Sequence, residues 1–324
     1  YVFYGDTFFD ASNDSKWEGM GHEMIAFTHY YIVENGESFY LYAGEPAVIE
    51  DVPVPRVRHE YVEKSDDRTD WDRLMNAIGE SIVHGETTKV VASREVQFTS
   101  PEPFNVASIL ANLADNNPNC FIFGYEKDGR TFLGASPEIL VRHRGSEILS
   151  YALAGTAPKD GPGAWTKEQS LTDSKNLLEH NIVRDRILNT MKDITPRISV
   201  GETGIMELAH LYHLRTIITA TDPTKSLVEW AKLLHPTPAL GGEPREKALA
   251  LLQKYETHER GMYAAPFGFM KDMGDGIVVV AIRSALVIGN TLYAYAGCGV
   301  VADSDADAEY EETNNKMRTI LDAL

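Results

Sequence analysis

The alternation of apolar and polar positions predicts a chain that begins with β-strands. Residues 27–33 and 37–42 are rich in aromatic and β-branched side chains, and they flank Asn35-Gly36. This pair is typical of tight hairpin turns, so we predict a β-hairpin here. Residues 50–69 combine spaced prolines with mixed charge, which indicates a linker or an exposed loop.

Apolar residues at helical spacing predict several helices in the remainder of the chain. Trp71, Leu74 and Ile78 define the apolar face of the first one, with Asp70 as its expected N-cap and Gly85 at its end. Further helices are predicted at residues 104–115, 167–193, 225–234 and 244–257, and from Asp305 to the end.

Strands are predicted between these helices, together with one loop rich in glycine and proline at residues 155–163. A second hairpin is expected to turn at Gly289-Asn290. Helices and strands mix without strict βαβ alternation, which predicts an α+β fold with large antiparallel sheets. The predicted strands are residues 89–93, 120–125, 131–135, 139–142, 147–154, 278–288 and 291–296.

The absence of a central break in composition favours one large domain. We divide it into a β-rich part, residues 1–65, and a core that carries the later motifs, residues 66–324. The chain begins at Tyr1 rather than Met, which indicates truncation of the β-rich part.

Composition narrows the classes of function. A hydrophobic content of 43% is too high for a disordered chain, and no apolar stretch is long enough for a transmembrane helix. The formal charge of −18, without a basic run, disfavours nucleic acids and anionic membranes as partners. Two cysteines and no secretory segment at the start favour a reducing compartment, so we expect a cytoplasmic protein.

One predicted helix places a carboxylate among apolar residues. At about 100° per residue, Glu179 lies within the stripe formed by Val183 and Ile187. A carboxylate there is costly unless it is protonated, paired or bound to a metal. An ion pair with Lys175 or Arg186 on the same face is the structural alternative, and the sequence leaves both interpretations open.

The last predicted helix carries Glu309, Glu312 and Lys316 on one narrow face beside an apolar stripe. A solvated face is the simplest interpretation, with a Glu312–Lys316 pair worth about 0.3–0.5 kcal/mol. A functional role for this face is the alternative.

Four further residues belong to types that occur in active sites, and each also has an ordinary structural interpretation. Lys89 opens an apolar strand, where its amine either reaches water or, if desolvated, acts as a general base. Glu138 lies at a turn, as an exposed carboxylate or, if buried, a general acid. His213 is interpreted as a hydrogen-bonded core histidine. Arg283 lies in an apolar strand and requires an anionic partner.

Short motifs follow one another in a defined order along residues 70–324. They lie at residues 89–94, 134–138, 153–156, 179–180, 235–242, 282–283, 296–299 and 309–316. Together and in this order they resemble the chorismate-utilising enzymes, which comprise anthranilate, aminodeoxychorismate, isochorismate and salicylate synthases. The resemblance implies a fold of antiparallel sheets packed face to face and flanked by helices.

Two positions resemble particular branches of that family. Isochorismate and salicylate synthases have a lysine where this chain has Lys89, whereas anthranilate synthases usually carry glutamine and use ammonia. Aminodeoxychorismate synthases commonly carry a nucleophilic lysine where this chain has Ala154. Residues 235–240 and 260–266 are similar to isochorismate synthases of the menaquinone type.

The resemblance implies that this chain isomerises chorismate to isochorismate with Mg²⁺ as cofactor, as the first step toward menaquinone. Lys89 is implied to activate water for attack at C2, and Glu138 to protonate the departing C4 hydroxyl. Glu179 and Glu312 are implied to hold Mg²⁺. Substrate contacts are implied for Gly155, Thr156, His213, Arg283, Gly297, Gly299 and Lys316.

Other functions remain as alternatives. A salicylate synthase would also eliminate pyruvate from the intermediate, and an aminating enzyme is disfavoured by Lys89 and Ala154. A non-catalytic scaffold with the same fold is disfavoured because all four implied catalytic and metal residues are present. We expect chorismate as the partner, with the chain a monomer or weak dimer. Cys298 replaces a residue that is commonly alanine in the family, and we expect only a packing change.

Overall fold

In the computed structural model, the described residues are 1–10, 14–50, 52–64, 67–160, 163–271 and 274–324. The strands are β1 Val2–Gly5, β2 Glu23–Ile25, β3 His29–Glu34, β4 Glu37–Tyr42, β5 Val62–Glu63, β6 Lys89–Thr99, β7 Phe121–Lys127, β8 Arg130–Ser136, β9 Ile139–Arg144, β10 Glu147–Pro158, β11 Ile198–Val200, β12 Gly204–Glu207, β13 Leu211–Thr221, β14 Gly242–Glu243, β15 Pro266–Met270, β16 Gly276–Val280, β17 Ser284–Ile288 and β18 Thr291–Val300. The helices are α1 Arg68–Val83, α2 Val106–Asn116, α3 Lys167–Thr172, α4 Ser174–Lys192, α5 Leu227–Leu234, α6 Arg245–Tyr255 and α7 Ala306–Leu321, with a short 3₁₀ helix at Ser15–Trp17.

The strands form two large antiparallel sheets and a separate hairpin. One sheet has nine strands in the order β11-β13-β10-β9-β16-β15-β1-β2, with β12 also paired to β13. The other has seven strands in the order β14-β6-β18-β17-β8-β7, with β5 also paired to β6. β3 and β4 pair only with each other among the described strands. The α+β class with antiparallel sheets is therefore confirmed.

Aromatic side chains hold the two sheets face to face. Phe3 in the nine-stranded sheet stacks on Tyr125 in the seven-stranded sheet, with ring centroids 4.8 Å apart. Phe123 and Phe267 make a second contact between the sheets at 4.6 Å. Burying such rings between two sheets is the main favourable contribution that this layer makes to folding.

Strand alternation divides the side chains of the seven-stranded sheet between two cores. Phe132 and Leu286 face the other sheet, whereas their neighbours Leu133 and Val287 face away from it. The outward residues pack against helices α2 and α7. Helices α1 and α6 cover the ends of β6 and β18, and α4 packs along β10 and β13.

The first helix begins earlier than predicted. It starts at Arg68, and its N-cap is Asp67 rather than Asp70. The carboxylate of Asp67 does not cap the helix, because it pairs with the guanidinium of the buried Arg94. A contact distant in sequence therefore sets this boundary.

The segment predicted as a loop and the long helix after it are both different in the structure. β10 continues through a bulge at Gly155 as far as Pro158, so the first residues of the expected loop are strand. The expected helix over residues 167–193 is two helices, α3 and α4, separated at Asp173. Asp173 is extended and its side chain caps α4.

The predicted strand over residues 278–288 is two strands in different sheets. β16 belongs to the nine-stranded sheet and β17 to the seven-stranded sheet, so the chain crosses between them at residues 281–283. The chain crosses in the opposite sense between β8 and β9, at Pro137 and Glu138. The hairpin of β17 and β18 and the hairpin of β3 and β4 are as predicted.

The segment predicted as a linker, residues 50–69, is largely exposed where it is described; it contains the short strand β5 and the first residues of α1, and residues 51, 65 and 66 lie outside the described residues. β11 to β13 and β15 were not predicted. No helix among the described residues combines the length and apolar character needed to cross a membrane.

Candidate active site

The two crossovers run side by side and build one wall of an enclosed pocket. The Val280 amide donates to the Glu138 carbonyl at 3.1 Å, and the Ala135 amide donates to the Arg283 carbonyl at 3.0 Å. Arg283 has a φ of 52°, in the left-handed region. Side chains at these corners leave the regular alternation of the strands, so Glu138 and Arg283 both line the pocket between the sheets.

Glu138 is a buried carboxyl group without a partner for one of its oxygens. Its side chain is 2% exposed, and Oε1 has no hydrogen-bond partner among the described residues. Burial raises the pKa of Glu138 to about 8, against the opposing charges of Arg283, Lys89 and Lys316. An acid that keeps its proton near neutral pH is suited to proton donation.

Lys89 and Glu179 form a buried ion pair beside the pocket. The Lys89 Nζ lies 2.9 Å from Glu179 Oε1, and the lysine side chain is fully buried. Burial alone would raise the pKa of Glu179, but the charge and hydrogen bond of Lys89 outweigh it and lower that pKa. The predicted same-helix partners Lys175 and Arg186 are therefore wrong, because β6 supplies the cation.

Gly299 leaves the space that this pair occupies. A Cβ at residue 299 would lie 2.2 Å from Glu179 Oε1 and 2.7 Å from Lys89 Cε. Glu179 lines the pocket, whereas Lys89 lies behind it and is not part of the lining in this conformation. A side chain at position 299 would therefore displace the acid, the lysine or both.

The narrow face of α7 is buried rather than solvated. Lys316 donates to Glu312 Oε1 at 2.6 Å, as predicted, and also to the Gly297 carbonyl at 2.7 Å. Glu309 is 1% exposed and pairs through Oε1 with Lys175, while its Oε2 has no partner among the described residues. Burial and the charge of Glu312 raise the pKa of Glu309.

His213 links Arg283 to the bulge in β10. The Arg283 guanidinium donates to His213 Nε2 at 2.6 Å, and His213 Nδ1 lies 3.2 Å from the Thr156 hydroxyl. Burial and the charge of Arg283 lower the pKa of His213 well below its usual value, so the neutral ring accepts from the arginine. The histidine is hydrogen-bonded and buried, and it also lines the pocket.

Gly155 allows the strand and the helix at this point to come close together. It has a φ of +76°, and a Cβ there would lie 2.8 Å from the Asn176 carbonyl of α4. The bulge thereby turns Thr156 toward the pocket while α4 brings Glu179 to the same place.

Most of the predicted site residues line the pocket, but Lys89, Gly155 and Glu312 do not, and Glu312 lines the neighbouring outer cavity. The structure also adds residues that had no predicted role. Arg260 and Tyr263 also line the pocket. Arg260 is 1% exposed and donates to the carbonyls of Val91 and Leu240, so it braces two walls. Their segment resembles the family, but only the structure shows which of its residues face the pocket. Glu309 lies on the predicted face and had no role assigned.

Carboxylate oxygens near the pocket mouth are suitable ligands for a divalent cation. Within the described residues, no three His, Cys, Asp or Glu side chains already surround one metal position. The charges of Glu179, Glu309 and Glu312 nevertheless all act on Lys175, and Glu309 keeps one unpartnered oxygen. Mg²⁺ typically takes one or two carboxylates and retains several waters, so this donor set fits it.

Comparison with known proteins gives a consistent family. A family model described as chorismate binding enzyme matches residues 48–324. Isochorismate synthase MenF of Bacillus subtilis is 35% identical over 263 residues, covering 80% of this chain and 56% of that protein. Anthranilate synthase component 1 of Arthrobacter globiformis is 35% identical over 257 residues, covering 76% of this chain and 48% of that protein.

The fold is also similar to that of solved structures. A Bacillus anthracis protein, provisionally described as the 2,3-dihydroxybenzoate-specific isochorismate synthase DhbC, superposes with a TM-score of 0.79 at 28% identity. The match covers 99% of this chain and 83% of that one. This chain spans about half the length of the two curated relatives. Because those relatives are equally similar and differ in name, individual site residues must distinguish between reactions.

Proposed function

Because this chain belongs to the chorismate-binding enzyme family, we propose that it is an isochorismate synthase, an isomerase that uses chorismate as substrate and Mg²⁺ as cofactor. The observation that carries the proposal is the buried, unpartnered acid of Glu138 on the pocket wall, together with the Lys89–Glu179 pair whose carboxylate lines the same pocket. Moving a hydroxyl group from C4 to C2 of a ring requires a proton acceptor at one carbon and a proton donor at the other.

Glu138 is the proposed proton donor. Its raised pKa keeps the carboxyl protonated near neutral pH, and its unpartnered Oε1 is free to interact with the substrate. The C4 hydroxyl then leaves as water, with the proton supplied by Glu138, while the ring double bonds shift.

Lys89 is the proposed proton acceptor for the water that attacks C2. Its ammonium group now donates to Glu179, and it must lose one proton before the nitrogen lone pair can accept a proton from water. When bound by Glu179 and Glu312, Mg²⁺ would supply positive charge that offsets a substrate carboxylate and competes with Lys89 for Glu179. Replacement of glutamine by lysine at this position also favours water over ammonia as nucleophile.

Cationic side chains are proposed to hold the anionic substrate. Arg283 has a buried Nε without a partner among the described residues, and His213 holds its other nitrogen. Lys316 lies across the pocket and is anchored by Gly297. Backbone amides near Gly155 and Gly299 complete the proposed contacts. The pocket is thus locally basic inside a chain whose formal charge is −18.

We further propose a cytoplasmic location and a role in menaquinone formation. Both cysteines are free, which is compatible with a reducing compartment. The menaquinone assignment is based on the resemblance at residues 235–240 and 260–266, and on similarity to MenF.

Product analysis tests the reaction. The purified chain is incubated with chorismate and Mg²⁺, with and without a chelator, and products are separated by liquid chromatography and identified by NMR. We expect isochorismate as the product, a reversible reaction and loss of turnover on chelation. Salicylate as the main enzymatic product, ammonia-dependent amination, or no turnover by the folded chain would each contradict the proposal.

A further inference from the structure

A cation from the protein itself lies beside the proposed cation site. The Lys175 Nζ forms an ion pair with Glu309 Oε1 between helices α4 and α7. Burial opposes the charge of Lys175, but the negative charges of Glu309, Glu312 and Glu179 outweigh it and raise its pKa. The ammonium group of Lys175 therefore pairs with Glu309 and also feels the charges of Glu179 and Glu312, the two carboxylates proposed to bind a divalent ion.

Three lysines neutralise these three carboxylates, and they differ in access to solvent. The side chain of Lys89 is fully buried, and that of Lys316 is 9% exposed and tied to a backbone carbonyl. Lys175 is 28% exposed and lines the outer cavity at the pocket mouth, together with Glu312 and Thr156. Only Lys175, of the three, can leave its carboxylate and extend into water without crossing the core.

We propose that Lys175 is a displaceable counter-ion, which pairs with Glu309 in the ion-free protein and moves into solvent when a divalent cation binds. This inference rests on the cation site of the proposed function. Ammonium and Mg²⁺ compete for carboxylate oxygens, so the lysine lowers the affinity for Mg²⁺. In the ion-free protein, the same lysine compensates the buried negative charge of Glu309.

A purely structural role for Lys175 makes the opposite prediction. If the lysine only fastens α4 to α7, its removal loosens the carboxylates and weakens the binding of Mg²⁺. If it competes with the cation, its removal strengthens that binding. The sign of the change in affinity therefore distinguishes the two roles.

Calorimetric titration with Mg²⁺ alone measures that sign. Lys175→Met keeps the aliphatic stem and removes the charge, and we expect the dissociation constant for Mg²⁺ to fall about tenfold. Lys175→Arg keeps a competing charge and is expected to leave the constant unchanged or higher. Lys167→Met is the matched control: this exposed lysine on the preceding helix pairs with Glu207, and its loss should not alter the affinity.

Chemical labelling measures the displacement itself. The wild-type protein is treated briefly with acetic anhydride, with and without Mg²⁺, and acetylation of each lysine is measured by peptide mass spectrometry. We expect Mg²⁺ to increase the labelling of Lys175 several-fold, because the amine leaves its ion pair. Labelling of Lys167 should stay constant.

The outcomes separate this inference from the proposed function. If wild-type protein binds no Mg²⁺, the cation site fails and the inference fails with it. If the wild type binds Mg²⁺ but Lys175→Met binds it equally or less tightly, or if labelling of Lys175 does not increase, only the counter-ion role is wrong. Should Lys175→Met not fold, Lys175→Gln and the labelling experiment decide the question.

Discussion

Two buried glutamates, Glu138 and Glu179, lie in one site and have opposite electrostatic environments. Glu138, on the inner wall, has no partner for Oε1, and burial raises its pKa to about 8. Glu179, nearer the mouth, is buried as well, but Lys89 reverses the effect of burial and lowers its pKa. The difference teaches that burial alone does not set the protonation state of a carboxyl group here. At Glu138 burial outweighs the surrounding cations, whereas at Glu179 a directly bonded lysine from a distant part of the chain outweighs burial.

The largest expected effect is on catalysis at the inner wall. Glu138→Gln keeps the shape and removes the acidic proton, so we expect turnover of chorismate to fall by about a thousandfold. Product formation is measured by liquid chromatography, and circular dichroism checks that the fold is retained. Glu202→Gln, at an exposed position, is the control and should keep full turnover. If Glu138→Gln retains turnover, another residue protonates the departing C4 hydroxyl.

The second effect is on the free energy of unfolding, which should respond differently to changes at the Lys89–Glu179 pair and at Glu138. Lys89→Met leaves Glu179 buried without its cation, and we expect the free energy of unfolding to fall by about 3–5 kcal/mol. Glu138→Gln removes an acid whose protonation in the folded state costs stability near neutral pH, so it should not lower the free energy of unfolding. Urea denaturation measures both, with the exposed Lys254→Met as control. Equal losses for the two variants would remove the distinction between the environments.

The third effect concerns the cation proposed at the mouth. Glu312→Gln removes one charged ligand, and we expect the Mg²⁺ concentration for half-maximal turnover to rise about 10–100-fold. Glu311→Gln, the exposed neighbour on the same helix, is the matched control and should not change that concentration. If turnover of the wild type survives complete chelation, the assignment of a metal to these carboxylates is wrong.

The last effect, small per pH unit, is a pH dependence of the free energy of unfolding that is caused by Glu138. The unfolded carboxyl group releases its proton near pH 4.5, whereas the folded one holds it until about pH 8. Between these values the folded state binds more protons, so the wild type loses stability relative to Glu138→Gln as pH rises. The slope is at most about 1.4 kcal/mol per pH unit and ends above pH 8. Urea midpoints of both proteins from pH 5.5 to 9 measure it, and a constant difference contradicts the raised pKa.

Local sequence patterns predict much of the fold, and the wrong predictions have common causes. The helices α2 and α7 were predicted because their apolar periodicity matches their burial. The largely exposed strands β3 and β4 were predicted from their residue types and from the Asn35-Gly36 turn between them. The break within residues 278–288 was missed because both strands are apolar, and nothing local marks the change of sheet. The N-cap at Asp67 was missed because that carboxylate binds Arg94 instead of the helix.

The sequence identified most residues of the candidate site by their chemical type, but it did not predict which of them contact one another. Lys89, Glu138 and Glu179 were singled out because charged groups in apolar segments need a reason to be there. Their partners were not predicted, since Lys89 and Glu179 are 90 residues apart in sequence. Glu309 received no role, and Lys175 was considered only as a partner of Glu179, because the Lys175–Glu309 pair depends on the approach of α4 to α7.

The sequence by itself determined the class of fold, the family and the chemical types of residue available for a reaction. These depend on periodicity and on local order along the chain, which need no knowledge of contacts. Only the tertiary structure decided which carboxyl group is raised in pKa, which lysine is buried and which remains at the surface. Desolvation and Coulomb interactions act through space, so they depend on how the two crossovers and helices α4 and α7 meet.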